Sequence, residues 1–204
     1  MLRVMLVRHG ETEWNRLRQI QGGNSDIPLN ERGKQQAERL ASRLKSEPIQ
    51  AIYSSPLQRS LDTAQAIARY HQLEVCLEPD LREFDLGELE GIRIEDLNKG
   101  YREVLFVNSQ GEILPRVPGG ESLKEVQQRA WNAIQRLVSQ HPDGLIVVVS
   151  HYFVLLTIIC SGLNLPLLEM GRLRLDASSL TTLTFSRPTP RLLLLNDTCH
   201  LETG

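Results

Sequence analysis

Two short runs of the chain are apolar at nearly every position: Arg3-Val4-Met5-Leu6-Val7 and Leu145-Ile146-Val147-Val148-Val149. Unbroken runs of this length, rich in β-branched residues, suit strands covered on both faces, as in a parallel sheet. Gln50 to Tyr53 and Glu74 to Leu77 are weaker strand candidates, and Leu180 to Phe185 and Arg191 to Leu195 add two more near the end. Helical patterns lie between them. Ala37, Leu40, Ala41 and Leu44 recur at helical spacing, as do Leu123, Val126, Ala130, Ala133 and Leu137, so each set marks one buried face. The latter helix opens on Ser122 and Glu125, spaced to cap free backbone N–H groups reciprocally, and ends at His141-Pro142. A third helix is expected from Ser55-Pro56, with Ser55 as cap and Pro56 in the first helical position, running through Leu61, Ala64, Ile67 and Ala68. Alternation of strand and helix predicts a three-layer α/β/α sandwich around a central, mostly parallel sheet.

One stretch breaks the alternation. Residues 91–120 mix scattered apolar positions with Asn108, Gly111, Pro115, Pro118 and the pair Gly119-Gly120, which reads either as a lid-like excursion or as a surface loop. No internal repeat or low-complexity linker divides the 204 residues, so a single domain over 1–204 is expected, long enough to bury a core without staples.

Charge and cysteine usage narrow the function classes. A formal net charge of -2 gives no basic face for nucleic acid, so any bound anion must be held locally. Cys76, Cys160 and Cys199 are odd in number, far apart and without a CxxC pair, which argues against a disulfide framework or zinc cluster and for a reducing compartment. The apolar start is too short for a secretory signal and no later run has the length of a membrane span, so the expected location is cytoplasmic, without membrane attachment. Oligomeric state is not legible, and a homodimer is expected only because such assemblies are common.

The five histidines separate by position. His71 and His141 fall at helix ends, where an imidazolium can meet terminal carbonyls. His9 and His151 instead follow the two strongest strands directly, where open α/β sheets place their ligand crevices. A histidine at a strand end is by itself more often an ordinary satisfied polar residue. His9, however, is flanked by the guanidinium of Arg8 and by Gly10, a small residue where backbone can approach a ligand closely. Arg59 falls in the first turn of the third helix, adding its charge to unpaired N–H groups and the positive end of the helix dipole. Two arginines could then grip one phosphate dianion.

Leu6-Val7-Arg8-His9-Gly10-Glu11-Thr12-Glu13-Trp14-Asn15 resembles the signature of the histidine phosphatase superfamily, the phosphoglycerate mutase-like family. Further segments match in order: Gln21-Gly22 with Asp26-Ile27-Pro28-Leu29 and Gly33; Tyr53-Ser54-Ser55-Pro56-Leu57-Gln58-Arg59-Ser60 with Thr63-Ala64; and Leu81-Arg82-Glu83 with Gly87 and Glu90-Gly91. Pro118-Gly119-Gly120-Glu121-Ser122 and Val149-Ser150-His151 complete the match, which spans about residues 3–155. The resemblance implies that His9 accepts the phosphoryl group, that Arg8, Arg59 and His151 surround its oxygens, and that neither metal nor other cofactor is needed. Glu83 resembles the proton donor to the leaving alkoxide and the later base for water; as donor it requires a raised pKa. Without the motif it would read as a surface carboxylate paired with Arg82. Asn15, Gln21 and Gly22 match positions that complete the substrate pocket, although Asn15 and Gln21 could equally fix loops.

Two departures bear on specificity. Many relatives carry Gly after the second histidine, whereas this chain has Tyr152, which is expected either to narrow the leaving-group pocket or to turn into the core. Cofactor-dependent phosphoglycerate mutases are typically longer and carry added basic residues in the excursion, which here supplies only the dispersed Arg93, Arg102 and Arg116. The resemblance therefore favours a phosphatase of a small phosphorylated metabolite over a mutase. A degenerate member that binds phosphorylated ligands without turnover is a further alternative, against which all the matched catalytic positions are filled. A metallohydrolase using His9 and His151 lacks any HExxH or clustered ligand spacing. The tail Leu195-Asn196-Asp197-Thr198-Cys199-His200-Leu201 is reminiscent of the ends of some small phosphatases in the superfamily; it either folds back toward the site or frays, and fraying is the stronger reading for His200.

Overall fold

Alternate residues of β1 (Leu2–Arg8) point to opposite sides of the sheet and enter two separate cores. Leu2, Val4 and Leu6, with Ile146 and Val148 of β4 (Gly144–Ser150), pack on one side against α4 (Leu123–Gln140) and α5 (Tyr152–Gly162). Met5 and Val7, with Leu145, Val147 and Val149, pack on the other against α2 (Glu31–Leu44), which follows the one-turn α1 (Glu13–Arg16), and against α3 (Gln58–His71). Every apolar side chain of β4 is thus buried, which is why its sequence shows no alternation. The computed structural model describes residues 1–97, 116–186 and 189–202.

The remaining strands are β2 (Ala51–Ser54), β3 (Val75–Leu77), β5 (Leu180–Phe185) and β6 (Arg191–Asp197), and the sheet runs β3-β2-β4-β1-β5-β6. β3, β2, β4 and β1 are mutually parallel, while β5 and β6 extend the sheet antiparallel. The result is the three-layer α/β sandwich expected from the alternation of elements. Lid and loop readings of residues 91–120 fall largely on 98–115, outside the described residues; on the flanks, Ile94–Asp96 forms one 3-10 turn and Gln19 bridges to Arg93.

Two helices differ from expectation. α3 starts at Gln58, not at Ser55-Pro56, with Leu57 extended before it and no side chain of the cap residue bonding the first turn. The Ser55 hydroxyl is held by His151, and the Asp26 carboxylate, from a distant loop, accepts the Gln58 N–H at 2.7 Å. α5 was not anticipated because its Leu155, Leu156, Ile158, Ile159 and Cys160 are buried all round, leaving no polar stripe to mark a helical period. His141 also departs: its ring meets the Tyr53 hydroxyl at 2.8 Å instead of terminal carbonyls.

Candidate active site

Arg8 and Ser150 are partners in the parallel register of β1 and β4, so the next residues, His9 and His151, leave the sheet side by side at its carboxyl edge. The His9 N–H donates to the Ser150 carbonyl at 3.0 Å, and the two imidazole centroids are 5.1 Å apart. β2 ends beside them, and the Ser55 N–H donates to the Val149 carbonyl.

His9 is almost wholly buried, and its Nδ1–H donates to the Gly10 carbonyl at 2.7 Å. That bond assigns the proton to Nδ1 and leaves the Nε2 lone pair free. Burial, reinforced by Arg59 and Arg8, holds the His9 pKa well below its ordinary value, against the Gly10 bond, so the ring stays neutral. The backbone here runs flush against α2. A Cβ on Gly10 would lie 2.5 Å from the Gly33 carbonyl oxygen, and one on Gly33 would lie 2.0 Å from that of Glu11. Gly33→Ala is therefore expected to lose about 1–3 kcal/mol of stability through overpacking, read as a lower urea midpoint with unchanged m-value.

Arg59 is fully buried, and its guanidinium donates to three partners: His151 Nδ1 at 3.2 Å, the Ser25 carbonyl at 2.7 Å and the Gly22 carbonyl at 3.1 Å. Burial lowers its pKa to about 10, which still leaves it charged near neutrality. Because Arg59 donates to Nδ1, the proton of His151 sits on Nε2, which faces Ser55 Oγ at 2.7 Å and Ser60 Oγ at 3.3 Å. Burial, then Arg59, His9 and Arg8, push the His151 pKa well down as well.

Arg8 is held at the strand end by partners of its own. Its Nη1 donates to the Leu175 carbonyl at 2.6 Å, and its guanidinium lies 5.0 Å over the Tyr152 ring. Tyr152 lines the chamber wall beneath Arg8 and also packs against Phe153 and the core.

Glu83 is buried and does not pair with Arg82, whose Nε donates to the Gly23 carbonyl at 2.7 Å. Its two oxygens accept the N–H groups of Phe84 at 2.8 Å and Phe153 at 3.4 Å. Burial nevertheless raises its pKa, outweighing those bonds and the attraction of Arg59 and Arg8, so it holds a proton to higher pH than an ordinary carboxylic acid.

Arg8, His9 and Glu83 open onto one chamber of about 300 Å³, shared with Asn15, Gln21 and Tyr152. Arg59 and His151 lie behind His9 and do not line it. Asn15 and Gln21 also fix their loop: Asn15 Oδ1 accepts the Thr12 N–H at 3.1 Å in a reciprocal cap, and Gln21 Oε1 accepts the Thr12 hydroxyl at 2.8 Å. Gly22 contributes its carbonyl to Arg59, and its missing side chain admits Glu90, whose oxygen lies 2.2 Å from where a Cβ would be. A larger groove of about 860 Å³ between α2, α3 and β3 holds none of these residues. Among the described residues, no three His, Cys, Asp or Glu side chains converge on a common metal position, and no helix is long and apolar enough to cross a membrane.

Several supports carry no motif of their own. Arg129 of α4 donates to the carbonyls of Asp80, Arg82 and Glu83 at 2.7, 2.6 and 3.1 Å while pairing with Glu121, which in turn accepts the Asp85 N–H. One guanidinium thus holds the segment that presents Glu83. Arg129→Met is expected to lower kcat by about tenfold or more while KM changes little, since 1 Å of misplacement can cost far more than that; steady-state kinetics at a temperature where the variant is folded checks this. The tail does fold back: His200 Nε2 donates to the Ser178 carbonyl at 3.0 Å, and the Ser178 N–H donates to the His9 carbonyl at 3.1 Å. Asn196 brackets the same loop, its Oδ1 accepting the Asp176 N–H at 2.6 Å.

Comparison with known proteins shows the family and the fold. A family model described as the histidine phosphatase superfamily (branch 1) matches residues 4–198. Probable phosphoglycerate mutase GpmB of Cronobacter sakazakii is 39% identical over 190 residues, covering 92% of this chain and 86% of that protein. Phosphoserine phosphatase 1 of Hydrogenobacter thermophilus is 35% identical over 203 residues, covering 98% of this chain and 95% of that protein. Among solved structures, a histidine-to-alanine mutant of phosphoserine phosphatase from Entamoeba histolytica, in complex with phosphoserine, matches with a TM-score of 0.89 at 35% identity, over 99% of this chain and 100% of that chain.

Proposed function

The chain belongs to the histidine phosphatase superfamily, whose members matched here are phosphatases and mutase-like enzymes, and from that membership we propose that it hydrolyses small phosphate monoesters through a phosphohistidine at His9. The observation that carries the proposal is the pairing of a neutral His9, proton tied at Nδ1 and Nε2 free, with a buried Glu83 on the same chamber. In the first step Nε2 bonds to phosphorus as the ester P–O bond breaks, and the Glu83 proton passes to the departing oxygen. In the second, the Glu83 carboxylate takes a proton from water, whose oxygen bonds to phosphorus as the P–N bond breaks, returning Glu83 protonated and His9 neutral. Arg8, on the chamber wall, stabilises the charge on the transferring oxygens, while Arg59, behind His9, holds His151 in place and adds positive potential from outside the chamber.

Names among the relatives also raise a mutase reading. Release of inorganic phosphate from a panel of monoesters without added 2,3-bisphosphoglycerate is the expected outcome; interconversion of 2- and 3-phosphoglycerate, dependent on that compound and without phosphate release, would replace the hydrolase reading.

The pKa directions give a pH profile. His9 must be neutral, and its lowered pKa places the acidic limb of kcat/KM well below the ordinary histidine value. Glu83 must be protonated, and its raised pKa places the alkaline limb above the ordinary carboxylic acid value. Activity is expected to fall as pH rises through that limb, and Glu83→Gln is expected to flatten it, as pH–rate curves of both proteins would show.

A further inference from the structure

Beyond the phosphoryl site, the chamber is lined by Ile20, Leu86, Ile94, Tyr152 and Phe153. Phe153 stands edge-on to Phe84 at 5.5 Å and to Tyr152 at 5.3 Å, so the aromatic side is braced from behind. Of the uncharged polar lining, the amide oxygens of Asn15 and Gln21 are bonded to Thr12 and Gln19 Nε2 donates to the Gly91 carbonyl at 3.1 Å, so each of the three side chains has one end tied to its loop. Among the described lining residues the cation is Arg8, whose guanidinium is held by the Leu175 carbonyl and the Tyr152 face beside the phosphoryl position. Glu83 faces the same space and repels an anion whenever it is ionised.

We propose that the preferred substrates are phosphate monoesters of uncharged, largely apolar alcohols or phenols, with the aromatic and aliphatic wall from Ile20 to Phe153 as the leaving-group subsite. The proposal rests on the phosphatase reading above and adds the class of its leaving group. A carboxylated leaving group, such as the phosphoserine bound by the Entamoeba histolytica enzyme, would have to desolvate its carboxylate against this wall. An alkyl or phenyl group gains from the same contact.

Matched pairs test this on the wild-type protein: phenyl phosphate against 4-carboxyphenyl phosphate, and n-butyl phosphate against 3-phosphoglycerate. The added carboxylate on the ring does not slow departure of the phenolate, so any loss reports recognition. The neutral member of each pair is expected to have a kcat/KM higher by about tenfold or more, and each methylene from ethyl to butyl is expected to raise it about threefold. Ile94, on the 3-10 turn at the chamber mouth, tolerates charge sterically because it is 36% exposed, and Ile94→Arg is expected to shift both ratios toward the carboxylated ester. Equal or greater kcat/KM for the carboxylated members of the wild-type pairs overturns the leaving-group proposal while leaving hydrolysis standing. Turnover of no ester at all overturns the hydrolase reading and this proposal with it.

Discussion

His9→Ala is expected to lower phosphate release from every ester by about 10⁴-fold or more, the scale seen when a nucleophile is deleted from a covalent mechanism. The loss follows from position. Nε2 is the free nitrogen of a ring whose other nitrogen is bonded to the Gly10 carbonyl, and β1 and β4 end in register so that the backbone cannot offer another side chain at the same place. His151 is no substitute: its Nε2 is directed at Ser55 and Ser60, its Nδ1 accepts from Arg59, and it does not line the chamber. Loss of activity should come with retained fold, because the His9 ring makes its ring hydrogen bond only to the adjacent residue. Steady-state phosphate release, with circular dichroism on the same samples, measures both.

Glu83→Gln is expected to lower kcat for alkyl esters by about 10²–10⁴-fold, the usual contribution of a positioned proton donor. The two steps should be affected unequally across substrates. With 4-nitrophenyl phosphate the departing oxygen needs little protonation, so the first step survives while water activation does not. Rapid mixing of this variant should then show a burst of nitrophenolate followed by slow turnover, whereas an alkyl ester should show no burst. The amide keeps the size of the carboxyl and can still accept the Phe84 N–H, so the geometry around it should hold. A uniform loss across esters without a burst would place Glu83 in substrate positioning rather than proton transfer.

The central strands could be read directly from sequence because burial on both faces leaves Val4 to Val7 and Leu145 to Val149 apolar without interruption. α2 and α4 were equally legible, since each has one buried stripe and a polar remainder. α5 was not, because total burial erases its period, and the start of α3 was displaced because the Asp26 that caps it comes from another loop. In the site, His9, His151 and Arg59 could be placed from the strand ends and the helix start. Glu83 needed the motif: Arg82 beside it suggests a surface pair, and only the fold turns Arg82 to Gly23 and Glu83 inward. The Leu175 carbonyl that holds Arg8 left no trace, since a backbone oxygen is independent of residue type. Arg129 could have been noticed as a long cation near the apolar face of α4, but its targets are three carbonyls from a segment about 46 residues distant, which no spacing rule reaches.

A covalent phosphoryl–His9 species is the claim on which both predictions depend. Wild-type enzyme and the Glu83→Gln variant should be mixed with ³²P-labelled 4-nitrophenyl phosphate, quenched in alkali within milliseconds, digested and mapped. The label is predicted on the peptide containing His9, stable in alkali and lost in acid as a phosphoramidate should be, with greater accumulation in the Glu83→Gln variant. Label on another residue, or turnover through the same time course with none on His9, would contradict the mechanism.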